Sequence, residues 1–355
     1  MKKQDVVSTM LNIRFPVVQG PMLGVTTPQM VAAISNAGGL GSLPVGGLSA
    51  ATTAELIYST KQLTSKPFAV NLFAHDVLSR NNEQSFHAMQ DFLEKYCAAK
   101  GIPFTRKAIA DINPHGYEEL VDVLTEEKIP VVSFTFGLLT AAVISRLKAN
   151  GATLIGTATS LAEATALETA GIDIITAQGF EAGGHRGSFL EEDRLPQVGL
   201  FSLLPELADN IKRPLLAAGG ITDERTIRAA FALGASGVQV GTLFIPSVES
   251  AASSVYKKNL LSAKQTDSVL TKAFTGRWAR GLKNDLLEAV EASGITMPDY
   301  NLQNNLYSSL RSYGQQHNMG EIIPMWAGQS FRRAMTGNVT SIFNQLVDGI
   351  DFSAL

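Results

Sequence analysis

The residues best suited to chemistry concentrate in one stretch, Ala177-Gln178-Gly179-Phe180-Glu181-Ala182-Gly183-Gly184-His185-Arg186-Gly187. Its glycines let the backbone approach a ligand closely, and they carry a single imidazole with them. Histidine is the side chain best suited to proton transfer near neutral pH, or to stabilising an anion when charged. His185 is therefore the candidate catalytic residue. His75, His87, His115 and His317 lack such a setting and suit helix-surface or loop roles. Glu181 is the only nearby carboxylate and receives no role.

Two glycine turns add a second chemistry. Ala217-Ala218-Gly219-Gly220-Ile221 runs into Thr222-Asp223 at a helix start, and Gln239-Val240-Gly241-Thr242 follows the next apolar run. Bare N–H groups at a helix start carry partial positive charge, and a Cβ there would keep a phosphate oxygen from the amide. Either turn alone is explained as well by a tight bend; the pair, at the last two strands, points to a phosphate. Asn71 and Gln178 place amides nearby, able to donate and accept at the edge of a heteroaromatic ring or to cap neighbouring backbone.

The missing machinery narrows the ligand. No GxGxxG follows the first strand, no lysine ends a strand to form a Schiff base, and the five histidines show no metal-ligand spacing. FMN or a sugar-phosphate substrate remain as the leading candidates. A net charge of -3 with no basic run argues against nucleic acid or an anionic membrane as partner. Cys97 is the only cysteine, so no intrachain disulfide can form and a reducing, cytoplasmic setting fits. The N-terminal MKKQDVVSTMLNIRFP lacks an apolar core and does not read as a secretory signal. Ala229 to Val248 is uncharged, yet its glycines and proline read as a buried helix and strand rather than a membrane span.

These groups need a scaffold that brings them to one face. Eight apolar runs recur: Pro16–Gln19, Leu40–Leu43, Phe68–Asn71, Ile129–Phe134, Thr153–Gly156, Ile172–Thr176, Pro214–Ala217 and Gly237–Val240. Near-continuous apolar strands mean burial on both faces, as in parallel sheets under helices. Thr52-Thr53-Ala54-Glu55 and Ser160-Leu161-Ala162-Glu163 read as capping boxes, and Gly38, Gly151 and Gly234 as helix ends. Strand-helix alternation repeated eight times favours an α/β fold of the (β/α)8 TIM-barrel type. The barrel is expected over 1–249, a polar helical insertion over its mouth at 250–323, and a segment packing back on the barrel at 324–355.

The sequence also resembles the class I nitronate monooxygenase family. The resemblance rests on Gln19-Gly20-Pro21-Met22, Gly38-Gly39-Leu40-Gly41, Val70-Asn71-Leu72-Phe73, Phe134-Thr135-Phe136-Gly137, the loop ending in His185-Arg186-Gly187, Ala218-Gly219-Gly220-Ile221, Gln239-Val240-Gly241-Thr242 and Met325-Trp326-Ala327-Gly328-Gln329-Ser330. It implies an FMN enzyme that oxidises alkyl nitronates, notably propionate 3-nitronate, with O2 to an aldehyde and nitrite or nitrate, a detoxification. By this similarity Met22, Asn71, Gln178, Gly183, Gly220, Gln239, Val240, Gly241 and Thr242 contact FMN, and His185 is the active-site histidine. Some relatives carry a second histidine where this chain has Thr135, which leaves that position without a role. Arg277 and Arg280 match the family and are candidates for attracting a carboxylate-bearing nitronate or for a solvated helix face, and Tyr300 and Tyr307 for reaching the site from the insertion. The rival is an FMN-dependent NAD(P)H enoyl-ACP reductase, against which Arg186 speaks, because that branch usually has an apolar residue after the histidine. Homo-oligomerisation is left open.

Overall fold

A computed structural model describes residues 3–75, 83–190, 195 and 197–355. Eight parallel strands form the barrel: β1 (Val17–Gln19), β2 (Gly41–Pro44), β3 (Phe68–Phe73), β4 (Val131–Thr135), β5 (Thr153–Ala158), β6 (Ile174–Gln178), β8 (Leu215–Ala218) and β9 (Gly237–Val240). Each lies within two residues of the run read from the sequence. β7 is the short piece Gly184–His185 outside the barrel. The strand order β1-β9-β8-β6-β5-β4-β3-β2 closes into a ring where Val18 bridges Leu40, with Gln19 N donating to Leu40 O at 2.8 Å.

Helices cover the strands outside: α2 (Pro28–Ala37), α3 (Ala50–Leu63), α4 (Glu83–Ala99), α5 (Glu118–Glu126), α6 (Ala141–Ala149), α7 (Leu161–Thr169), α8 (Leu200–Asn210) and α9 (Glu224–Ala232). Ser160 caps α7 by accepting from Glu163 N, and Asp223 with Thr226 completes a capping box on α9. The expected box at Thr52 is displaced: α3 starts three residues earlier, with Ser49 accepting from Thr52 N. Ser49 already satisfies that free amide, so the helix need not wait for Thr52.

The N-terminal helix α1 (Lys3–Leu11) closes the end of the barrel remote from the glycine turns. Its Val7 and Leu11 join Val18, Leu40, Ala69, Val131, Ile155, Ile174 and Leu216 in a separate core cluster. The cluster is aliphatic throughout, as filling a narrow barrel floor requires.

After β9 the chain builds a cover that is not helical throughout. Helices α10 (Ser254–Ser262), α11 (Asp285–Ala292), α12 (Tyr300–Leu306) and α13 (Ser308–Gln316) are joined by an antiparallel hairpin, β10 (Ser268–Thr271) and β11 (Ala279–Leu282). β11 also pairs with β7, setting Ala279 opposite His185. Residues expected as helix thus form a strand, and two glycines supply the reason. A Cβ on Gly276 (φ +76°) would stand 2.3 Å from Pro298 O, and one on Gly281 2.8 Å from Met325 O. Both positions belong to tight crossings of backbone that a helix cannot provide. The last helix, α14 (Val339–Val347), packs on α2.

No helix among the described residues is long and apolar enough to cross a membrane.

Candidate active site

At the C-terminal ends of the strands lies a cavity of about 300 Å³. Strand register brings its wall together: Gln178 stands opposite Ala218 and Ala218 opposite Gln239, while Asn71 stands opposite Ser133. His185, Met22, Asn71, Gln178, Gly183, Gly220, Gln239, Val240, Gly241 and Thr242 all border this cavity. Sequence reading had assigned them to one site; they are spread over more than two hundred residues of chain.

The glycine turns form one end. Gly219 and Gly220 have φ of +118° and +75°, conformations closed to most side chains. Among the described residues, the amides of Gly219, Gly220, Gly241 and Thr242 donate to no protein acceptor. A Cβ on Gly220 would find only ordinary contacts, Ser330 Oγ at 3.8 Å, and one on Gly241 would face Met22 Sδ at 3.6 Å. The space in front of these amides is therefore open, and free N–H groups fringing an open cradle fit a phosphate. Val240 contributes differently: its side chain is in the outer core and its carbonyl accepts from Gly20 N at 2.8 Å.

The loop glycines turn out to serve packing. A Cβ on Gly183 would stand 2.4 Å from Gly328 N, and one on Gly187 would meet Thr157 Cγ2 at 2.7 Å and Thr135 Oγ1 at 2.8 Å. Thr242 Oγ1 accepts from Gly328 N at 3.1 Å, locking the same crossing. Gln178 anchors the loop from below, donating to His185 O at 3.0 Å and accepting from Gly187 N at 2.8 Å. One amide hydrogen and one lone pair remain on it for a ligand. Asn71 donates to Ser133 Oγ at 3.0 Å, which fixes its side chain at the mouth.

Glu181 acquires a role: both carboxylate oxygens accept from Leu200 N at 2.9 Å, capping α8 where Gly199 has no side chain to do so. Arg186 is buried and donates to Gln178 O at 3.1 Å and Gly179 O at 2.5 Å. Its identity therefore reports on how the loop packs, and the discrimination drawn from it against a reductase loses its force.

His185 occupies the other end. Phe136 meets it edge-on at 5.4 Å, Tyr300 at 5.7 Å, and Trp326 leans over it at 5.4 Å. Burial, and then the positive charges of Arg277, Arg311 and His75, depress its pKa to about 3. The imidazole is thus neutral at pH 7, and any substrate stabilisation by a charged His185 is set aside in favour of hydrogen bonding. Its Nε2 lies 2.8 Å from Thr275 Oγ1, whose own proton has a long partner in Arg277 O at 3.4 Å. With Thr275 Oγ1 donating to Arg277 O, the Nε2–H tautomer is the one that completes this chain.

The remaining candidates separate. Thr135 and Tyr300 border the cavity. Arg277 lies over the Phe136 ring at 4.6 Å. Arg280 is buried, donating from Nε to Phe180 O at 3.0 Å, and Tyr307 is fully buried with its hydroxyl on Ile322 O. Neither borders the cavity. Sequence reading missed Arg311 and Asn304, which do. Tyr300, Asn304, Arg311 and Gln315 recur at spacings of a single helical face, the signal that would have found them. No group of metal-binding side chains occurs among the described residues.

Fold and site together define a barrel of the enzyme type with open backbone amides at one end of a cavity and an enclosed, neutral histidine at the other. Residues 4–349 match the family model described as nitronate monooxygenase. A probable nitronate monooxygenase of Staphylococcus aureus is 40% identical over 352 residues, covering 99% of this chain and 98% of that protein. The chain belongs to the nitronate monooxygenase family, whose members are flavin-dependent oxidoreductases. Among solved structures, a nitroalkane oxidase from Streptomyces ansochromogenes superposes with a TM-score of 0.87 at 33% identity, covering 96% of both chains. FabK from Thermotoga maritima gives a TM-score of 0.75 at 30% identity, covering 96% of this chain and 94% of that one.

Proposed function

We propose that the protein oxidises alkyl nitronates, propionate 3-nitronate among them, using FMN and O2, and releases an aldehyde with nitrite or nitrate. The observation that carries this reading is the two-ended cavity, open amides facing an aromatic-walled histidine. The amides of Gly220, Gly241 and Thr242 would hold the phosphate, and Asn71, Gln178 and Met22 would border the ring. The flavin supplies the electron transfer when bound. The protein's own residues do the rest. Phe136, Tyr300 and Trp326 keep water from the reacting groups, which strengthens every polar contact inside. Thr275 orients His185, which would present a neutral imidazole to the substrate. Arg277 and Arg311 add positive potential that favours an anionic substrate over its neutral acid.

The likeness to FabK supports a second reading, reduction of an enoyl thioester by NAD(P)H. Anaerobic mixing of the FMN-loaded protein with propionate 3-nitronate, and separately with NADH, separates the two. A prompt change of the flavin spectrum with the nitronate and none with NADH supports the oxidation. Bleaching by NADH with no response to the nitronate would replace it with the reductase.

A further inference from the structure

The cavity contains a cation whose place and pairing go beyond a general attraction for an anionic nitronate. Arg311 on α13 borders the cavity, and its Nη2 donates to Asn304 Oδ1 at 2.6 Å. Its Nε is shut away from solvent with no acceptor, and no carboxylate pairs with the guanidinium among the described residues. A desolvated guanidinium without a counter-ion is costly, and native sites normally resolve that cost with an anion. Among the described residues its hydrogen-bond partner is a neutral amide. Lys107 stands near it, bound to Asn305 O and Ser308 Oγ at 2.7 Å each, likewise without a carboxylate among the described residues. The positive charge of Arg311 is felt by His185 and Tyr300, which border the cavity with it, and by Tyr307 and Lys107 behind them. The free amides of the glycine turns already provide for a phosphate at the other end.

We propose that Arg311 is a specificity-determining residue: it binds a second anionic group, a carboxylate, on the substrate whose reacting end lies beside His185. This rests on the reading of the cavity as a nitronate site. Arg277 and Arg280, the arginines the sequence suggested for this task, are occupied by the Phe136 face and by backbone carbonyls. A guanidinium can offer two N–H groups to a carboxylate, and Arg311 keeps Nη1 and the second hydrogen of Nη2 beyond the one engaged by Asn304.

The test compares FMN-loaded wild type, Arg311→Met and Arg311→Lys on propionate 3-nitronate and on propyl-1-nitronate, which lacks the carboxylate. Succinate binding is followed in parallel through the perturbation of the flavin spectrum. Charge-assisted pairs are worth about ten- to hundred-fold in binding. Arg311→Met should therefore cut the preference for the carboxylate substrate, as a ratio of kcat/KM, at least ten-fold, mostly through KM, with a matching loss of succinate affinity. Arg311→Lys should restore part of both. If Arg311→Met does not fold, a several-fold loss of preference in Arg311→Lys carries the same meaning. An unchanged preference, or none in the wild type, overturns the assignment while the nitronate reading stands. If neither nitronate is oxidised, that reading falls and succinate decides alone: binding lost with Arg311 upholds the anion site, and binding that is absent or unaltered ends it.

Discussion

His185 shows how enclosure sets chemistry at the level of one residue. With its pKa depressed to about 3, the imidazole does not titrate between pH 5 and 8. The profile of kcat/KM against pH should therefore lack a limb near 6.5, and one appearing there would mean that the ring carries charge in the working enzyme. The same depression affects stability. Between pH 6.5 and about 3 the unfolded chain takes up a proton at this ring that the folded chain refuses, so stability falls as pH drops through that window. His185→Asn should lose part of that acid sensitivity and should slow nitronate turnover by about a hundred-fold or more while FMN remains bound. Gly220 makes the complementary case. Gly220→Ala forces a Cβ onto a φ of +75°, a strain of about 1–2 kcal/mol, and narrows the cradle. Flavin retained through gel filtration should drop at least ten-fold, and retention equal to wild type would remove this turn from the phosphate site. His185 and the two glycine turns were legible in the sequence because imidazole and glycine have few common reasons to cluster. Arg311 was not, because an arginine on a polar helix is ordinary until its surroundings show that it has no counter-ion.

Between elements, a buried carboxylate fastens the histidine loop. Glu163 is 1% exposed and accepts from Thr159 N, Thr159 Oγ1, Phe189 N and Leu190 N. It joins the start of α7 to the segment just after the histidine loop. Glu163→Gln puts a donor among these donors and should cost about 1–3 kcal/mol, seen as a lower urea midpoint. It should also make the peptide near Phe189 an early site of proteolysis, and an unchanged digestion pattern would show the loop is held by other contacts. The capping box read at Ser160 was thus half right: Ser160 caps the helix, but Glu163 turns away to the loop. Short-range rules see the helix end and not the distant amides that compete for the carboxylate. The hairpin of the cover escaped for the same reason, since Gly276 and Gly281 answer to backbone far along the chain.

For the whole molecule, chemistry and stability sit at opposite ends of the barrel. Leu11, 2% exposed in the floor cluster, should cost about 2–5 kcal/mol when changed to Ala, with flavin content and KM as in wild type. A shift in KM would show that the floor and mouth communicate. The barrel itself was readable because its strands are near-continuous apolar runs between capped helices. The path of the cover was not, because it is decided by pairing across the fold.

That pairing has a consequence for inheritance. β7 carries His185 and is hydrogen-bonded as an edge strand to β11, with Arg186 N also donating to Trp278 O at 2.8 Å. The His185 imidazole and the roof above it are therefore one stitched piece, although some ninety residues of chain separate their halves. A chimera that exchanges the roof between relatives must carry the 184–187 segment with it, and lineages that remodel one half are bound to remodel the other.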